Sequence, residues 1–247
     1  MGLRTLVSEP ENTRAFYLSK ESVMQRCPVC ERRQFLFRAT MGSAALFTVP
    51  GAYAEELIRT APQGEGPFYP DKLPLDTDND LIIINDSITP AVGQITHLTG
   101  RVTDVRGNPV RNVLVKIWQA DNNAVYLHSR GGRRDRLDTN FQGFGRFSTN
   151  LNGEYYFRCI KPVRYTGRPP HIHVAVEQSG KRLLTTQLYI RGEKLNDSDF
   201  LFRQVEDPRA RETLLVDFNP LNRSETGELH ANFNIILGMT PNESQAG

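Results

Sequence analysis

Residues 100–121 read GRVTDVRGNPVRNVLVKIWQAD, and this stretch decides the fold. Two runs rich in β-branched and apolar residues, Ile95 to Val102 and Asn112 to Gln119, flank the segment Asp104-Val105-Arg106-Gly107-Asn108-Pro109. That segment collects Asp, Gly, Asn and Pro, which preset or tolerate turn dihedrals, so it joins two strands. Working outward, similar short runs cover Glu154 to Lys161, His171 to Val176, Leu183 to Ile190, Leu214 to Phe218 and Ala231 to Leu237. Asn152-Gly153 marks a second turn before Glu154. No long segment carries a 3.6-residue apolar period, and the one helix expected lies around Asp197 to Gln204. Seven or so short strands predict a mainly β fold, an antiparallel β-sandwich with long loops.

The regions before Ile95 read differently. Gly64-Glu65-Gly66-Pro67-Phe68-Tyr69-Pro70 and the Asp-rich run from Asp71 to Asp80 are punctuated every few residues, which predicts an irregular N-terminal arm over 55–94 leading into the sandwich domain over 95–247. In residues 1–54, Arg32 and Arg33 precede a mildly apolar stretch from Thr40 to Val49 and then Ala52-Tyr53-Ala54. This order resembles a twin-arginine export signal, and it predicts an exported protein, periplasmic or extracellular, whose mature chain starts near Glu55. A surface helix with two arginines is the plainer alternative, and Met24 offers a second translation start. The apolar stretch is far shorter than the roughly 20 residues a spanning helix needs, so no stable membrane insertion is expected.

The 38% hydrophobic content suits one sizeable core, and the formal net charge of +2 leaves no basic stripe for nucleic acid. Seven basic and four acidic residues fall in 1–54, so the remainder carries 23 against 24 and is nearly neutral. A small-molecule partner is the better expectation, with a homo-oligomer left open. Cys27 and Cys30 form a CxxC with no second pair to complete a four-sulfur zinc site. Cys159 then remains alone in the mature chain, where a buried small hydrophobe is its expected role.

The sharpest chemical signal is His171-Ile172-His173. On a strand, residues i and i+2 project from one face with Cα atoms roughly 6.5 Å apart, so two imidazoles can converge on one ion. Two solvated histidines on a polar face read the same way, so context decides. Upstream, Gly167, Pro169 and Pro170 make the approach to His171 a fixed loop that can hold Tyr165 and Arg168 beside the strand end.

The segments GRVTDVRGNPVRNVLVKIWQAD, VYLH, DTNFQGFGRFST, GEYYFRCIKPVRY, GRPPHIHVAV and TTQLYI, with GEGPFYP in the arm, together resemble the intradiol ring-cleavage dioxygenases. This is the family of protocatechuate 3,4-dioxygenase and catechol 1,2-dioxygenase. The resemblance implies ferric iron, Fe(3+), held by two tyrosines and two histidines: Tyr126 and His171 at equatorial positions, Tyr165 and His173 at axial ones. A trivalent cation favours the phenolate strongly enough to deprotonate a tyrosine, and hard anionic oxygens in turn favour Fe(III). The resemblance further implies that a catechol-type diol binds as a dianion and displaces Tyr165, that O2 then attacks the ring, and that both oxygen atoms end in a muconic acid. Arg168 matches the arginine that stabilises charge developing on the ring, and Gln187 matches a neighbouring glutamine. Outside this pattern each tyrosine would be read as a core or rim aromatic, and Arg168 as a surface loop arginine.

Departures from the family concern the substrate. Only five residues separate Tyr165 from His171, which implies a lower wall over the pocket; Pro170 stands where alanine is common; and no helical dimerisation domain precedes Gly64. Arg130, Arg133, Arg134 and Arg136 crowd a loop after Tyr126, where they could attract a carboxylated catechol or simply form solvated loop charge. Two rivals remain at this stage: a non-catalytic secreted transthyretin-like β-sandwich binding module, and an iron-free partner subunit of a heteromeric dioxygenase.

Overall fold

Period-two burial drives the first strand of the sandwich. In β1 (Ile95–Asp104) every second residue is buried, Leu98 and Val102 without exposed surface, as expected for a strand with one face on a core. A computed structural model describes residues 56–85, 87–165 and 167–238. Residues 1–54, where an export signal is expected, and with them Cys27 and Cys30, therefore lie outside the described residues. Within them, β1 is followed by β2 (Leu114–Trp118), β3 (Phe144–Ser148), β4 (Glu154–Ile160), β5 (His171–Gln178), β6 (Lys181–Ile190), β7 (Leu215–Val216), β8 (Phe218–Pro220), β9 (Leu229–Asn232) and β10 (Ile235–Leu237). Two single-turn helices, α1 (Phe200–Arg203) and α2 (Pro208–Glu212), lie between β6 and β7.

One sheet places β4 on one side of β1, with β9 and β10 paired to successive halves of its other side and β8 beyond β9. The second sheet runs β3-β2-β5-β6-β7. Leu98, Val102 and Phe157 from the first share one core with Val115, Ile117, Ile172, Val174 and Leu188 from the second. Leu81 and Ile82 of the arm are fully buried in that core, pinned where Leu81 N–H donates to the Arg158 carbonyl at 2.8 Å. The expected sandwich and irregular arm are both present.

The sheets are mixed, however. Antiparallel ladders link β1–β4, β2–β3, β2–β5, β5–β6 and β8–β9, whereas β9 and β10 run parallel to β1, and β7 parallel to β6. Parallel neighbours need a long crossover, and the segment holding α1 and α2 supplies one between β6 and β7. The run from Leu214 to Phe218 breaks into two strands, as does that from Ala231 to Leu237. The helix expected over 197–204 resolves into a 3₁₀ turn (Lys194–Ser198) and α1, with Asp199 capping α1 by accepting from Phe202 N–H at 2.9 Å. The Asp104 turn is present: Asp104 Oδ1 accepts from the N–H groups of Arg106 and Asn108, both at 2.9 Å. Cys159 is free and fully buried, its thiol pushed up in pKa by that burial. No helix of the described residues is long and apolar enough to cross a membrane.

Candidate metal centre and active site

Strand β5 is buried at six consecutive positions, His171 to Val176. A strand buried on both faces needs cover on both. Ile172, Val174 and Val176 face the sandwich core, while His171 and His173 project to the other side. The ladder fixes their neighbours: His173 stands opposite Trp118 of β2 and Gln187 of β6, and His171 opposite Tyr189 of β6. The cover on this side comes from the arm and from two loops.

The first loop carries Tyr126. Its hydroxyl lies 3.3 Å from His171 Nε2 and 3.1 Å from His173 Nε2, and all three residues are at most 3% exposed. The loop is closed by Tyr126 N–H donating to the Gly131 carbonyl and Gly131 N–H to the His128 carbonyl, both at 2.8 Å. A Cβ at Gly131 would sit 2.5 Å from the Tyr126 carbonyl oxygen, so this close approach requires glycine. Buried Asp121 holds the base of the loop, accepting from the N–H groups of Asn123, Val125 and Asp138. Arg134 spans its rim, Nη1 donating to the carbonyls of Tyr126 and Leu127 at 3.0 and 3.1 Å. Of the four loop arginines, Arg134 thus serves the backbone. Arg133 pairs with Asp135 at the surface, and Arg130 and Arg136 are exposed.

The second loop carries Tyr165 and Arg168 as the ends of a tight turn. Arg168 N–H donates to the Tyr165 carbonyl at 2.7 Å, and Gly167, third in the turn, has φ +79°. A type II turn needs positive φ at that place, which favours glycine. The half-buried Tyr165 ring stands edge-on to Tyr126, centroids 5.1 Å apart, and 5.5 Å from the His171 ring. Arm residue Phe68 stacks on Tyr126 at 5.1 Å and meets Tyr165 edge-on at 5.9 Å, forming an apolar lid over the phenols.

The protonation states suit a cation. Burial, then the neighbouring Arg168 charge, lowers the His171 pKa to about 4, and burial holds His173 well below its usual value. Both imidazoles are therefore neutral near pH 7. His171 Nδ1 lies 2.7 Å from the Pro169 carbonyl, which can only accept, so the proton sits on Nδ1 and Nε2 keeps its lone pair for the site. His173 Nδ1 is buried without a hydrogen-bond partner among the described residues; its ring is instead stacked on Trp118 at 4.9 Å and 9°. Burial, followed by the effect of Tyr165, raises the Tyr126 pKa well above 10. Without a cation Tyr126 stays a phenol. Among the described residues no three His, Cys, Asp or Glu side chains gather at a point, so a metal held here must use the phenols. Tyr126, Tyr165, His171 and His173 are the residues that could hold it.

Beside them lies a polar network. Arg168 Nη2 donates to Gln187 Oε1 at 2.9 Å and to Tyr189 Oη at 3.2 Å, and Gln187 Nε2 donates to the Gly64 carbonyl at 3.2 Å. Thus all the residues expected at the site, Tyr126, Tyr165, Arg168, His171, His173 and Gln187, come together. Sequence reasoning missed Tyr189, Asp199 and the Trp118 stack. Tyr189 was within reach, since it lies two residues after Gln187 and so shares its face.

Residues 64–238 match the family described as Dioxygenase. The chain is 37% identical over 155 residues to the protocatechuate 3,4-dioxygenase beta chain of Burkholderia cepacia, covering 59% of this chain and 65% of that one. It is 32% identical over 175 residues to the protocatechuate 3,4-dioxygenase alpha chain of Pseudomonas putida, covering 66% and 85%. The solved dioxygenase domain of a dioxygenase carbohydrate-binding protein fusion from Streptomyces sp. SirexAA-E is similar with TM-score 0.55 and 30% identity, over 74% of this chain and 99% of that one. The chain spans just under two thirds of the Burkholderia relative's length. These relatives give no support to a transthyretin-like binding module. With its sandwich, its arm and the match over 64–238, the chain belongs to the intradiol ring-cleavage dioxygenase family.

Proposed function

We propose that this protein is an Fe(III)-dependent dioxygenase that opens a catechol-type diol between its two hydroxyl-bearing carbons, both atoms of O2 entering the muconic acid formed. The observation that carries this reading is the approach of Tyr126 Oη to the Nε2 atoms of His171 and His173, with the Tyr165 ring beside them. Bound there, ferric iron would supply Lewis acidity and a template for the diol oxygens. The chain's own residues do the rest. Tyr165, half-buried on a short turn, is the side chain placed to give way to substrate and, as the phenolate that bound ferric iron would make of it, to take one of the substrate's protons at Oη. Tyr126, enclosed by Phe68 and the Gly131 loop, is the one placed to stay. Arg168 stays protonated at any working pH and can stabilise negative charge developing on the ring, while Gln187 aligns it. Phe68 keeps water from the phenols.

The test is oxygen uptake by the iron-loaded protein across a panel of substituted catechols, with labelled O2 followed into the product. Two labelled atoms in a ring-opened diacid are expected; no uptake with any catechol, or cleavage outside the diol, would overturn the reading. We further propose that residues 1–54 direct export. Arg32→Lys with Arg33→Lys should leave uncut precursor inside the cell, and normal export of that variant would contradict the proposal.

A further inference from the structure

Asp199 belongs to neither sheet and touches no residue that could hold iron, yet its side chain is 1% exposed. Both carboxylate oxygens are spent at the site. Oδ2 accepts from Arg168 Nε at 2.5 Å, and Oδ1 accepts from Arg168 Nη2 at 3.2 Å. This is the two-pronged carboxylate–guanidinium geometry that fixes orientation as well as position. Tyr189 Oη, 3.4 Å from Oδ1, and Gln187 Oε1 close the same side of the guanidinium. Among the described residues, Nη1 alone of the three guanidinium nitrogens has no partner. Arg168 itself sits on a turn, 21% exposed, so a long side chain without this anchor could swing toward water. Capping α1 does not explain a buried carboxylate, because a neutral Asn or Ser caps as well.

We propose that Asp199 is a positioning residue for ring cleavage: its carboxylate locks the Nε–Nη2 fork of Arg168 and leaves the Nη1 end for the substrate. This rests on the dioxygenase reading above, in which Arg168 stabilises charge on the ring. Asp199→Asn isolates the role, since it keeps the cap and the shape while removing the charge that grips the fork. A misplacement of about 1 Å costs roughly 10²-fold in rate, so kcat should fall by about that factor while KM, iron content and thermal midpoint change little. In the Arg168→Ala background the same substitution should cost nothing further, because the group it positions is gone. A merely structural Asp199 would lower both backgrounds alike.

The experiment is the four-member cycle of wild type, Asp199→Asn, Arg168→Ala and the double variant, each with kcat, KM, iron content and melting curve, plus a crystal structure of Asp199→Asn. Loss of kcat in the single variant but not in the double, with the guanidinium displaced in the crystal, supports the proposal. Wild-type kcat in Asp199→Asn, or equal losses in both backgrounds, overturns it. If the wild type opens no catechol, the dioxygenase reading falls; a guanidinium still in its wild-type place in Asp199→Asn would sink the positioning role independently of that outcome.

Discussion

The two histidines and the two tyrosines of the site are held by different means. His171 and His173 ride on the middle of a five-stranded sheet, where backbone ladders on both sides set their spacing and their shared face. Tyr126 and Tyr165 ride on loops, where individual contacts do the same work: three backbone bonds to Asp121, the Gly131 approach, the Arg134 rim and the Tyr165–Arg168 turn. A ladder averages over many bonds and tolerates the loss of one. A loop held by a few polar groups does not. The strand half of the site should therefore fail only when a histidine itself is removed, whereas the loop half should fail through residues that touch no metal.

The largest effect expected is on the strand side. His171→Ala or His173→Ala leaves at most three of the four residues proposed to hold iron, and metal content per chain should fall to near zero while the β fold, read by circular dichroism, persists. Retention of iron by either variant would remove that histidine from the site. Next comes the loop. Asp121→Ala strands the N–H groups of Val125 and Asp138 in buried surroundings and that of Asn123 nearer the surface; a buried N–H costs about 1–3 kcal/mol unsatisfied, so chemical denaturation should show a loss of several kcal/mol together with weaker iron binding. A neutral outcome would mean the Tyr126 loop needs no such scaffold.

Acid should strike the strand half. His171 has its folded-state pKa lowered to about 4 from 6.5, so the unfolded chain binds the proton more readily. Its contribution is present above pH 6.5 and is lost as pH falls toward 4, a change of about 3 kcal/mol at 1.36 kcal/mol per pKa unit. Denaturation of metal-free protein at pH 7 and pH 4 measures it, and the drop should shrink in His171→Asn. The smallest effect belongs to Gly167→Ala. Nothing lies within 4 Å of the added Cβ, so the cost is the positive φ, about 1 kcal/mol. It should lower the thermal midpoint slightly and kcat more, because Tyr165 and Arg168 both hang on that turn.

Legibility followed the same division. The runs rich in β-branched and apolar residues placed β1, β2, β4, β5 and β6 within two residues at each end, since a strand on a buried ladder selects such side chains. Strand β3 escaped because Gly145 interrupts its pattern; the arm backbone at Asp78 passes so close that a Cβ there would lie 2.7 Å from a carbonyl oxygen. The parallel pairings of β7, β9 and β10 escaped because strands of two to four residues carry no direction in their composition. At the site, spacing marked His171 and His173 as candidates without separating a metal pair from solvated histidines, and the family resemblance gave Tyr126, Tyr165, Arg168 and Gln187 their roles, because loop contacts have no period. Asp199 was invisible for a sharper reason: it lies 31 residues from Arg168, and only the crossover that carries α1 brings them together.

The central claim is that both loop-borne phenols and both strand-borne imidazoles meet one ferric ion. The visible absorption spectrum and iron content of the double variant Tyr126→Phe with Tyr165→Phe after exposure to ferric iron test it most directly, because ferric phenolate absorbs visible light and ferric imidazole without phenolate lacks that band. The wild type should be wine-red, and the double variant, left with only the two histidines, should be colourless and hold little iron. A visible band that survives the loss of both tyrosines would place the metal elsewhere and contradict the account.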